Sequence, residues 1–130
     1  MKVSFDFDGT LDKPSVQEYC KSLIDSGIEV WLCTARVPSE MAVSIHWNDD
    51  LYRVCEKVGI IKERVKFCAY EDKYHFFKDS DFLWHLDDDW VELEMINKYT
   101  KTKGISVFGQ RNWINKCDKL IEKFKNKKPD

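Results

Sequence analysis

The sequence lacks several things at once. Its 130 residues contain no CxxC pair, no internal repeat, no low-complexity linker and no apolar run approaching the length of a membrane span. Without such a run no helix is expected to cross a bilayer, so no membrane partner is expected. Five cysteines, Cys20, Cys33, Cys55, Cys68 and Cys117, are an odd number and cannot all pair internally, so reduced thiols in a cytosolic chain are the simpler reading. Nor is there a surplus of positive charge: 21 Lys and Arg stand against 23 Asp and Glu, a formal net charge of -2. Wholesale coating of a nucleic-acid backbone is thereby excluded, and any polyanion contact must be local. The length leaves no room for a second domain of ordinary size, so residues 1–130 are read as one domain with a frayed Lys-rich end from Lys125 to Asp130. Met1-Lys2-Val3-Ser4-Phe5 runs straight into Asp6, which gives no signal peptide, and a cytoplasmic location is expected.

What is present is enough for a core: 43% of residues are hydrophobic and 14% aromatic. Short β-rich runs, Val3–Phe7, Glu29–Cys33, Val65–Tyr70, Phe82–Leu86 and Ile105–Phe108, alternate with amphipathic stretches. Val16, Tyr19, Cys20, Leu23 and Ile24 recur at helical spacing, and Leu51, Val54, Cys55 and Val58 repeat it. Pro14 and Pro38 suit first helical turns, while Gly27, Gly59 and Gly104 sit where helices should end. A last helix gathers Trp113, Cys117, Leu120, Ile121 and Phe124 on one stripe, leaving Lys116, Lys119, Lys123 and Lys127 mostly on a solvated face. The expectation is an α/β, Rossmann-like parallel sheet of about five strands sandwiched between helices, with no cap domain.

The most informative stretch is Val3-Ser4-Phe5-Asp6-Phe7-Asp8-Gly9-Thr10-Leu11-Asp12, an apolar strand running into two acids. Strand alternation turns Asp6 and Asp8 to one side, at the carboxyl end of a strand where open α/β sheets bind ligands. Gly9 then permits a positive φ for a sharp exit. An EF-hand calcium loop is disfavoured, because the Gly follows the second Asp directly and position twelve is Gln17 instead of a bidentate Glu. A second strand ends in Asp87-Asp88-Asp89. Asp88 or Asp89 can cap the following helix, the more so for Asp89, and Asp87 is the better metal ligand. Asp6, Asp8, Asp87 and Asp88 brought together need a hard divalent cation, with magnesium the obvious candidate.

Between these clusters a third strand ends in Thr34-Ala35-Arg36. Thr34 either caps a turn or, beside a metal, offers its hydroxyl to phosphate, and Arg36 has the donor fork for a phosphate oxygen. Lys73 opens a short helix, either as a solvated lysine or as one that reaches the sheet edge. His85 reads as a satisfied structural histidine.

Asp6-Phe7-Asp8-Gly9-Thr10, Thr34 after an apolar strand, Lys73 and Asp87-Asp88 together resemble, in order and context, the four motifs of the haloacid dehalogenase-like superfamily of aspartate-nucleophile hydrolases. The resemblance spans nearly the whole chain and is of the capless type, since neither interval between motifs holds a cap. It implies that Asp6 attacks phosphorus to give an aspartyl-phosphate and that Asp8 protonates the leaving oxygen and later activates water. Magnesium would be held by Asp6, Asp8 through its carbonyl oxygen, Asp87 and Asp88. Thr34 and Lys73 would hold phosphoryl oxygens, with Gly9, Thr10, Ala35 and Arg36 on the substrate side. Lys66 and Lys78 also lie near the third motif, and Lys73 is preferred for its place at a helix start. The expected activity is magnesium-dependent hydrolysis of a phosphomonoester, with a nucleotide or a nucleic-acid end among the candidate substrates. The alternatives are a phosphotransferase using the same nucleophile and a catalytically quiet phosphate- or protein-binding module. Arg36, His46, Trp47, Trp90 and Arg111 are candidates for the rim of so open a site.

Overall fold

The computed structural model describes residues 1–108 and 112–127. Arg111, read above as a rim residue, lies outside the described residues, as do positions 128–130 of the Lys-rich end. The described elements run β1 (Lys2–Phe5), α1 (Pro14–Asp25), β2 (Glu29–Thr34), α2 (Asp49–Val58), β3 (Val65–Phe67), α3 (Tyr74–Phe77), β4 (Phe82–Asp87), α4 (Trp90–Tyr99), β5 (Lys103–Ser106) and α5 (Asn112–Lys127). All strand pairings are parallel, and the sheet order is β3-β2-β1-β4-β5. This is the α/β, Rossmann-like sheet expected from the alternating pattern.

Alternation along the strands sorts side chains onto two faces. Val3, Phe5, Val30, Leu32, Trp84 and Leu86 join the buried stripes of α1, α2 and α5, where Cys20, Leu51, Cys55, Cys117 and Ile121 supply the other half of the larger core. Cys33, Phe82 and Trp31 meet α3 and α4 through Phe77, Phe76 and Ile96 on the opposite face. A register shift between β1 and β4 pairs Lys2 with Phe82 but Ser4 with His85. Because that shift inserts one residue into β4, Phe82 and His85 are both opposite residues of one β1 face.

Five expectations need correction. β1 stops at Phe5, not Phe7, because after a last ladder bond from Asp6 N–H to Leu86 O (2.9 Å) the chain folds into a tight turn closed by Leu11 N–H to Asp6 O (3.0 Å). β3 is three residues long and not six, and Ala69, at φ 53°, already points the chain away from the sheet. Gly104 lies inside β5 and terminates no helix; a Cβ there would come 3.0 Å from the Leu93 carbonyl oxygen, so the glycine lets α4 pack directly on the sheet. Pro38 precedes a single 3-10 turn, Ser39–Met41, in place of a full helix. At the C-terminal end, Lys125 to Lys127 continue α5 instead of fraying. Gly59 (φ 101°) ends α2 in the left-handed conformation, as its position suggested.

Candidate active site

The sheet order reverses between β1 and β4, the topological switch where open α/β sheets bind ligands at the carboxyl ends of their strands. Asp6 follows β1 and Asp87 ends β4, so both acids stand at that switch. Asp6, Asp87 and Asp88 each offer a carboxylate oxygen within 4.8 Å of the others. Asp6 and Asp87 are buried, and Asp88 is half-buried. Lys73, buried at the start of α3, donates from Nζ to Asp6 Oδ1 and to Asp87 Oδ2, both at 2.7 Å. Of the three lysines near the third motif, Lys73 is the one brought to the acids; Lys66 lies over the Phe76 ring and Lys78 is exposed past the end of α3.

Charges this close shift one another. Burial, with help from Asp87 and Asp88, raises Asp6 from its ordinary 3.8 to about 8 although Lys73 opposes the rise. Burial acts in the same sense on Asp87, but hydrogen bonds from His85 and Lys73, with the Lys73 charge, outweigh it and hold that carboxyl below its ordinary value. Lys73 is pulled down by burial and pushed up further by Asp6 and Asp87, so it stays an ammonium. Asp88 is raised, first by desolvation and then by Asp87.

Around this cluster a second layer fixes the side chains. Thr10 Oγ1 donates to Asp6 Oδ2 (3.1 Å), and the Asp89 N–H donates to Asp87 Oδ1 (3.1 Å). His85 Nε2 lies 2.8 Å from Asp87 Oδ2 and its Nδ1 lies 2.9 Å from Ser4 Oγ. Burial holds His85 below its ordinary value. A neutral ring facing a carboxylate must carry its proton at Nε2, which leaves Nδ1 to accept from the Ser4 hydroxyl. His85 is therefore structural, as its sequence context suggested, but the structure it supports is the site itself. The signal was available: His85 and Asp87 are two residues apart in a strand and share a face. Glu92 gave no such signal; from α4 its Oε2 accepts the Lys73 N–H at 2.9 Å and pins the start of α3.

Asp8 is not where strand alternation put it. Because β1 ends at Phe5, Asp8 sits in the turn, exposed, and its two oxygens accept from Arg36 Nε (2.9 Å) and Nη2 (2.8 Å). Arg36 also binds Asp50 in α2 from Nη1 (2.8 Å) and Nη2 (3.0 Å), and the Trp47 carbonyl from Nη1 (3.3 Å). Its donor fork is thus engaged by protein acceptors, and gripping a phosphate oxygen, as expected of it, would require those bonds to open. Gly9 is similarly occupied, since its N–H donates to Asp12 Oδ2 (3.1 Å), closing the turn from within. Its φ is 80°, and a Cβ there would overlap the Asp88 carboxylate; the glycine is what lets the turn pass the second acidic cluster.

Thr34 ends β2, buried, with Oγ1 accepting the Arg36 N–H at 3.2 Å, and Ala35 is exposed beside it. Asp89 caps α4 through Val91 N–H (3.0 Å) and Glu92 N–H (3.4 Å), the role preferred for it. At the rim, Trp47 and Trp90 are exposed, and His46 Nδ1 lies 2.9 Å from Asp49 Oδ2. Among the described residues no helix is long and apolar enough to cross a membrane. No family model and no curated protein matches this sequence.

Proposed function

We propose that this chain is a magnesium-dependent phosphomonoester hydrolase that works through an aspartyl-phosphate on Asp6, as the resemblance to haloacid dehalogenase-like hydrolases implies. The observation that carries the reading is the grouping of buried Asp6 and Asp87, bridged by the Lys73 ammonium, with half-buried Asp88 at the switch point of the sheet. Three carboxylates against one cation are under-compensated, and an all-oxygen donor set of this kind suits a hard divalent ion such as magnesium. When bound, magnesium supplies neutralising charge and polarises a phosphoryl oxygen.

The chain's own groups do the rest. Thr10 holds Asp6 Oδ2 while Lys73 meets Oδ1, so the carboxylate is fixed in one orientation before substrate arrives. An Asp6 oxygen forms the new bond to phosphorus as the ester oxygen departs, and water later cleaves the acyl phosphate. Lys73, permanently charged, offsets negative charge gathering on the phosphoryl oxygens. Asp8 would give its proton to the leaving oxygen, which requires the Arg36 fork to release it first. Arg36 thus governs Asp8, and its freed donor fork is then available to a substrate oxygen.

Hydrolysis of p-nitrophenyl phosphate tests this reading. Turnover should require magnesium, stop with chelator and be lost in Asp6→Asn. Turnover persisting undiminished in that variant would remove the nucleophile, and none across a broad panel of phosphate esters would leave the quiet binding module.

A further inference from the structure

A second pair of reactive groups lies close to the carboxylates, and the proposed hydrolysis makes no use of it. Cys33, on β2, and Cys68, just past β3, are 35 positions apart, yet their sulfurs are in contact at 3.3 Å. Both are buried beside Phe77, Phe82 and Ile96, in the smaller core between the sheet and α3–α4. A disulfide spans about 2.05 Å between sulfurs, so the pair needs to close by roughly 1.3 Å.

The two thiols are unlike. The hydrogen bond with Cys33, together with the Lys73 and Lys66 charges, lowers Cys68 in spite of its burial, whereas desolvation raises Cys33. Cys68 is thus the better nucleophile and Cys33 the thiol placed to resolve it. Both also grip the same residue. Cys33 directly precedes Thr34, the Cys68 N–H donates to the Thr34 carbonyl at 2.7 Å, and the Thr34 hydroxyl accepts the Arg36 N–H.

We propose that Cys33 and Cys68 are a reversible oxidation site, converted by hydrogen peroxide into an internal disulfide that displaces Thr34 at the edge of the candidate active site. The Cys68 thiolate attacks one peroxide oxygen, forming an S–O bond as the O–O bond breaks and hydroxide leaves. The Cys33 sulfur then attacks Cys68, the S–S bond forms, the S–O bond breaks, and the departing oxygen leaves as water with the Cys33 proton. Two thiols and one peroxide give one disulfide and two waters. A dithiol reverses the change by exchange.

Peroxide treatment of the full chain, followed by alkylation and peptide mapping, tests the site directly. The expected product is about 2 Da lighter, carries one Cys33–Cys68 link and returns to its starting mass with dithiothreitol. Amide hydrogen exchange at Arg36 and Cys68 should be at least several-fold faster in that product. The site is overturned if Cys20, Cys55 or Cys117 is linked instead, or if Cys68 is carried to the sulfinic acid with Cys33 still free. A correct link with unchanged exchange at both amides overturns the displacement of Thr34. Cys33→Ala should lose the mass change and leave Cys68 open to over-oxidation; the wild-type map decides the question even if that variant folds badly.

Discussion

Two places on this molecule solve the same electrostatic problem, one cation between two carboxylates, under opposite conditions. Lys73 bridges Asp6 and Asp87 with side chains 4%, 6% and 1% exposed. Arg36 bridges Asp8 and Asp50, whose side chains are 59% and 54% exposed. Inside, burial removes the screening that solvent gives and each charge depends on its neighbour, so removing one partner strands the others. At the rim, solvent screens the pairs and shares the donors, so the same count of contacts is worth far less. The difference separates an inner group whose charges hold one another from an outer one that braces the turn carrying Asp8.

The largest effect that would sharpen this contrast is expected from Lys73→Met, which leaves two buried acids without their ammonium. In chemical denaturation at neutral pH it should lose about 3 kcal/mol, the scale for breaking a buried pair. A loss no bigger than that of a surface substitution would dissolve the contrast.

Next comes the metal-free protein followed against pH. Asp6 is raised in the fold, so its contribution is fully present below its ordinary 3.8 and is lost as pH climbs toward about 8. Asp87 is depressed, so its contribution is present above its ordinary 3.8 and is lost as pH falls below that value. Stability with chelator should therefore decline on the alkaline side of this window. Magnesium at ten times its dissociation constant should add about 1.4 kcal/mol near pH 8 and flatten that decline. Equal melting temperatures with and without the ion would break the comparison at its inner end.

The smallest effect is expected at the rim. Asp50→Asn should cost under about 1 kcal/mol, and less again in high salt. A loss as large as that of Lys73→Met would show the outer brace to be as dependent on exclusion of water as the inner one.

Much of the inner group was legible because strands and motifs are local. An apolar run ending in acids identifies a strand end whatever the rest of the chain does, which makes Asp6 and Asp87 legible, whereas Lys73 is picked out by its place at a helix start and its position in the order of motifs. Alternation misplaces Asp8 because the rule holds only while the strand lasts, and past the last ladder bond, from Asp6 N–H to Leu86 O, the chain turns back on itself through Leu11 N–H to Asp6 O and Asp12 N–H to Phe7 O. The pairing of Arg36 is not legible for a related reason: Asp50, which accepts from both Nη1 and Nη2, is 14 residues away and gives no motif. His85 and Glu92 needed their partners' positions before their roles could be stated.

By itself, then, the sequence determined the alternating elements, the parallel sheet and the acids at its strand ends, since apolar period and turn chemistry are written residue by residue. Only the tertiary structure decided which carboxylates share a cation, that Arg36 holds Asp8, and that Cys33 touches Cys68. Those outcomes depend on strand register and on which distant side chain reaches a donor first, and neither is a property of any single stretch of chain.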